Sequence, residues 1–98
     1  MTYYELLTVI DLAKILTHGA RTAILKITKE WQTASKGRST SSGAEFLHWQ
    51  YKNFKGQPML CEKQQSSEYI KKIGWVNTYR LTPLGLQVQQ ALKEMEED

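Results

Sequence analysis

Ninety-eight residues, 41% hydrophobic and 23% charged, have the size and balance of one soluble globular domain rather than of a disordered or fibrous chain. A single core this small frames no large two-lobed substrate cleft, so a binding module is the expected class and an enzyme is not. The net charge of +3 is unevenly spread: residues 14–56 carry eight basic side chains against two acidic ones, and the end carries Glu94, Glu96, Glu97 and Asp98 against Lys93. A basic middle between acidic ends would let one part of the surface sit on a polyanion while the rest avoids it.

Cys61 is the only cysteine and His18 and His48 the only histidines. That excludes an internal disulfide and a Cys/His-rich metal site, predicts no cofactor, and fits a reducing, cytoplasmic location. The longest apolar stretch, residues 6–16, is interrupted by Asp11 and Lys14 and is shorter than the roughly 20 residues that cross a bilayer. The start, Met-Thr-Tyr-Tyr-Glu, has neither the basic opening nor the cleavage site of a secretory signal.

In chain order, residues 3–17 space Leu6, Val9, Ile10, Ala13 and Leu16 as one helical stripe. Leu7, Leu12 and Ile15 widen it beyond what a small core needs, which predicts a central helix or a dimer contact. His18-Gly19 is the expected stop. A second helix is predicted over 20–34, with Ile24, Ile27, Trp31 and Ala34 on one face. Residues 35–43 hold no hydrophobic anchor and predict an exposed, mobile loop with Lys36 and Arg38. Residues 44–54 fit both a helical stripe through Leu47 and Tyr51 and a strand alternation; their length and the Ser42-Gly43 start signal favour a helix. As a helix, 44–54 would align His48, Lys52 and Lys55 on one face.

Gly56-Gln57-Pro58 breaks the chain, and Pro58 suits the first turn of a further helix ending at Gly74. Residues 62–67 are too polar for a core, so the helix is predicted either from Met59 or only from about Ser66, with 58–63 then a short strand. Residues 75–82 are rich in strand formers, with Trp75, Asn77, Tyr79 and Leu81 on one side. Thr82-Pro83 starts a last helix, Thr as N-cap and Pro at its first position. Leu84, Val88, Leu92 and Met95 repeat along it, and the acidic residues at 94–98 oppose the helix dipole and predict a frayed end.

From Gln65 the chain reads Gln-Ser-Ser-Glu-Tyr-Ile-Lys-Lys-Ile-Gly-Trp-Val-Asn-Thr-Tyr-Arg-Leu-Thr-Pro-Leu-Gly. This stretch resembles the C-terminal half of winged-helix DNA-binding domains, in which a recognition helix ends in glycine and a short wing returns through a Tyr-Arg-Leu-Thr-x-x-Gly segment into a last helix. The resemblance implies a mostly helical α+β fold: a single winged helix-turn-helix domain over 1–98 with four or five helices and a small hairpin or sheet. It places Gln64, Gln65, Ser67, Lys71 and Lys72 on the outward face of the recognition helix and Asn77, Thr78 and Arg80 at the wing. Such a helix would pair Gln and Lys with base edges in the major groove, while Lys36 and Arg38 reach phosphates. The implied function is a small DNA-binding regulator of transcription, binding double-stranded DNA as a homodimer.

Rival chemistries are thin. Glu45-x-x-His48 is half of a carboxylate-bridged metal motif with no second half in the chain. Cys61 lacks a nearby histidine and reads as a buried small hydrophobe. Phe46, Trp49, Tyr51 and Phe54 read as core in so small a domain, although such rings also serve as platforms for single-stranded bases. The main competitor is a winged-helix-like protein-interaction module, an adaptor or inhibitor, that uses the apolar first helix and binds no nucleic acid.

Overall fold

The computed structural model describes residues 3–33, 38–52 and 55–96, without the side chains of residues 3–7, 38–42 and 96. Among them run four helices, α1 (Tyr3–Ile15), α2 (His18–Lys26), α3 (Arg38–Trp49) and α4 (Pro83–Glu96), and three strands, β1 (Gln32–Thr33), β2 (Cys61–Ile70) and β3 (Gly74–Leu81). The strands form one antiparallel sheet in the order β1-β3-β2. The architecture is α+β, with the core between the helices and the inner end of the sheet: Val9, Ala13, Ile24, Leu47, Leu60, Tyr79, Leu81 and Val88 are among its buried residues.

The first break falls one turn earlier than the glycine predicts. The chain leaves α1 after Ile15, and Thr17, extended at φ −67 and ψ 165, caps α2 by accepting the Ala20 N–H at 3.3 Å. A threonine hydroxyl satisfies an otherwise orphaned N–H of the first turn, so Gly19 lies inside α2. A Cβ placed on Gly43 of α3 would stand 2.2 Å from the Gly19 carbonyl oxygen, so the absence of a side chain at Gly43 lets α2 and α3 touch backbone to backbone.

The second helix is shorter than predicted, ending at Lys26 rather than near Ala34. Ile27 turns extended, and tertiary partners take the carbonyls that a longer helix would use. Gln89 of α4 donates to the carbonyls of Ile24 (2.7 Å) and Ile27 (2.9 Å), and Gln32 donates to that of Lys26 (3.3 Å). The Thr28 carbonyl accepts from Leu81 N–H at 2.9 Å, drawing the chain onto β3. There Gln32 pairs with Tyr79 and Thr33 with Thr78.

Two further expectations are corrected. Residues 38–43 form the start of α3 rather than a loop, and α3 ends at Trp49 instead of continuing to residue 54. Pro58 opens no helix; it bridges back to Lys52, and Met59 N–H donates to the Tyr51 carbonyl at 3.0 Å. Lys36 and Phe54 lie outside the described residues, as do residues 97–98, and α4 itself stays helical to Glu96.

The largest correction concerns the segment predicted as the recognition helix. Residues 61–70 form a strand, and Lys71, Lys72 and Ile73 form the turn that returns it as β3. Gly74, at φ 95, supplies the left-handed residue this turn needs, and Ile73 N–H closes it on the Ile70 carbonyl at 2.9 Å. The hairpin is therefore β2–β3 as a whole, its tip at Lys71 and Lys72 rather than at the Asn77 and Thr78 expected for a wing. Thr82 does cap α4, accepting from Gly85 N–H at 3.0 Å and donating to the Met59 carbonyl. Gly85 is required beside it: a Cβ there would meet the Leu60 carbonyl oxygen at 2.1 Å.

Candidate nucleic-acid interface

The inner end of the hairpin is anchored and the outer end is bare. Cys61, Thr78, Tyr79 and Leu81 are buried, whereas no residue from 64 to 77 is. Beyond Thr78, then, β2 and β3 form a two-stranded ribbon with no core beneath it. Isolated ribbons of this kind are marginal in water, and two local devices hold this one. Tyr69 and Trp75 face each other across the strands with ring centroids 5.6 Å apart, edge to face. Where the ribbon leaves the body, a bulge forms: Gln64 pairs with Thr78 and the next pair is Glu68 with Val76.

Four of the residues that the sequence predicts to contact DNA meet at this bulge. Asn77 Oδ1 accepts from Ser66 N–H at 3.0 Å, which steadies Ser66 in its left-handed conformation at φ 48. The Ser67 and Thr78 hydroxyls lie 2.6 Å apart, Thr78 also donates to Gln64 Oε1 at 3.3 Å, and Ser67 reaches the Gln64 carbonyl at 3.1 Å. These side chains shape the ribbon and are not lined up on a helix face. Gln65 is exposed beside them. Arg80 is engaged on the sheet, its Nε 2.9 Å from Glu62 Oε2 and its guanidinium 4.5 Å from the centre of the Trp31 ring. Lys71 and Lys72 are exposed at the turn. Arg38 is the first residue of α3, its side chain outside the described set.

The ribbon is tied to α3 by a cluster the sequence did not reveal. Glu45 accepts from the Tyr79 hydroxyl and from Lys63 Nζ, which lies 3.2 Å from both carboxylate oxygens. Burial pushes the Glu45 carboxyl up, but hydrogen bonds from Tyr79, Lys63 and the Trp49 indole, with the Lys63 charge, outweigh it and hold the group below its ordinary value. The Lys63 side chain is only 8% exposed, so it serves the fold and is withdrawn from any ligand. Burial and the hydrogen bond to Glu45 together push the Tyr79 phenol up. His48 stands at 3.3 Å from the Cys61 carbonyl, so Glu45 and His48 are each engaged separately with the hairpin. No group of three His, Cys, Asp or Glu able to hold a metal occurs among the described residues.

The aromatic residues divide differently from expectation. Tyr51 is buried, but Phe46 and Trp49 are exposed at 49% and 56%. Trp49 carries Lys52 Nζ 4.0 Å from its ring centre. The residues missed at the sequence level are those of the ribbon's end, Tyr69, Ile73 and Trp75, all more than half exposed. The one signal for them was Lys-Lys-Ile-Gly, which fits a turn as readily as a helix end. Comparison with protein-family models, curated proteins and solved structures found no match for this chain.

Proposed function

We propose that this chain is a winged-helix-type domain that binds duplex DNA as a small regulator, with the β2–β3 ribbon as its wing and α3, in place of residues 66–73, as the helix beside it. The ribbon carries the proposal: from residue 64 to 77 it has no buried residue, and it ends in two exposed lysines. A two-stranded ribbon is one of the elements a DNA groove admits, and lysines at its tip supply phosphate contacts. The order β1-β3-β2 and the succession helix, strand, helix, hairpin support the winged-helix assignment. Lys36 and Arg38, in and just after the segment that joins β1 to α3, would add contacts without sequence choice.

The test is titration of a fluorescent random-sequence duplex at two salt concentrations. Affinity should fall steeply as salt rises, and Lys71→Ala with Lys72→Ala should flatten the log–log slope by about 2. Absence of binding at about 50 mM salt, where phosphate contacts count most, would overturn the proposal.

A second copy or another protein as partner is favoured by one observation. Ile15 of α1 and Met95 of α4 stay 61% and 46% exposed although the two helices pack together. Leu12 is half-buried against the core, and the Leu7 side chain is outside the described set. A homodimer through α1 and α4 is compatible with DNA binding, since a two-fold protein reads two half-sites. Sedimentation of wild type and Ile15→Glu tests it: a dimer that the substitution splits supports this arrangement, and a wild-type monomer removes it.

A further inference from the structure

We propose that the hairpin's turn is a wedge, with Ile73 entering between two stacked base pairs of a bound duplex while Lys71 and Lys72 hold the flanking phosphates; this rests on the duplex-binding proposal above. Ile73 is the most exposed large hydrophobic among the described residues, at 66%. It stands at the apex of a ribbon that has nothing buried behind it, so no internal packing explains an aliphatic side chain there. The turn displays it. Ile73 uses its own N–H to close the turn on Ile70, and Gly74 at φ 95 reverses the chain immediately afterwards.

The neighbouring charges select the partner. The two residues before Ile73 are lysines, and the nearest acid along the ribbon, Glu68, lies back on β2 opposite Val76. An aliphatic point beside two cationic side chains complements a duplex: the cations meet the phosphates, and the apolar group replaces a stacking contact, as Ile does in proteins that kink DNA from the minor groove. One aliphatic side chain at the apex matches the single apolar wedges that are inserted at a base step. Tyr69 and Trp75, packed on each other behind the turn, brace the ribbon against the load.

The experiment uses the full chain and a duplex of about 20 base pairs with a central TA step, which unstacks easily. One strand carries 2-aminopurine at the step, and the two ends carry a donor and an acceptor dye. Wild type should raise both the 2-aminopurine emission and the energy transfer. Ile73→Ser should bind with an unchanged salt slope while leaving both signals flat, and Ile73→Leu should restore them. Wild-type binding with flat signals, or equal signals from Ile73→Ser, would overturn the wedge and leave duplex binding standing. Failure of wild type to bind the duplex at all would remove both proposals. Ile73-dependent binding to phosphatidylserine vesicles in preference to the duplex would assign the turn to a membrane surface and also overturn the wedge.

Discussion

The Lys63 ammonium on β2 lies 3.2 Å from each carboxylate oxygen of Glu45 on α3. This pair joins the hairpin to the helix beneath it, and Tyr79 of the central strand donates to the same carboxylate. The orientation of the ribbon relative to α3 is thus fixed by side chains 18 and 34 residues apart in the chain.

Removing the anion should loosen that joint. Glu45→Gln leaves Lys63, 8% exposed, without its counter-charge and weakens the Tyr79 hydrogen bond. A loss of about 1.5–2 kcal/mol is expected, in the range for hydrogen bonds to charged groups. Urea unfolding at neutral pH measures it, and an unchanged midpoint would show that the pair contributes nothing.

The same carboxylate sets an acid limb of stability. Its folded pKa is lowered below the ordinary 4.5, so the unfolded chain binds the proton more readily than the native one. The contribution of Glu45 is therefore fully present above the unfolded value and is lost as pH falls through the folded one. Urea midpoints of wild type and Glu45→Gln should converge as pH drops through the acid range. A gap that stays constant with pH would contradict the lowered pKa.

Two glycines should respond in opposite senses to alanine. Gly43→Ala places a Cβ 2.2 Å from the Gly19 carbonyl oxygen and 2.7 Å from the Ala23 Cβ, and α2 and α3 must separate. A loss of about 3 kcal/mol is expected, the upper part of the overpacking range. Gly19→Ala meets nothing within 4 Å and lies in α2, where it should add about 0.5–1 kcal/mol. Thermal melts of the two variants, one lower and one higher than wild type, are the check.

Thr82→Ala removes both the cap of α4 and the tie to Met59. The expected cost is about 1–2 kcal/mol, at the upper end for N-caps, and Thr82→Ser should recover most of it by keeping the hydroxyl. Equal melting temperatures for the Ala and Ser variants would show that the hydroxyl is idle.

Cys61 should be chemically silent in the folded protein. Burial, reinforced by the charges of Glu62 and Glu45 and opposed by a backbone hydrogen bond from Arg80, pushes its thiol up to about 12. The thiolate is the reactive form, so iodoacetamide at pH 8 should label it only in denaturant. Fast labelling of the native chain would place the thiol at the surface.

Legibility varied with burial. Val88 and Leu92 of α4 and Val9 and Ala13 of α1 are buried at the spacing their stripes predict, and Thr82-Pro83 marked the start of α4 because a cap is a local device. β3 was readable as a strand from Val76, Tyr79 and Leu81. By contrast, Gln64 to Tyr69 are exposed on both faces, so no apolar period could distinguish strand from helix there.

What the sequence alone determined was the stripes of α1 and α4, the cap at Thr82 and the strand character of β3, because each depends on contacts within a few residues. Tertiary structure decided that α2 stops at Lys26 and that residues 61–70 run extended beside β3. The physical reason is that Gln89, which takes the carbonyls at the end of α2, comes more than 60 residues later and is brought close only when the core closes, while the partner of residues 61–70 is joined by a turn, Lys71 to Gly74, whose residues fit a helix end equally well.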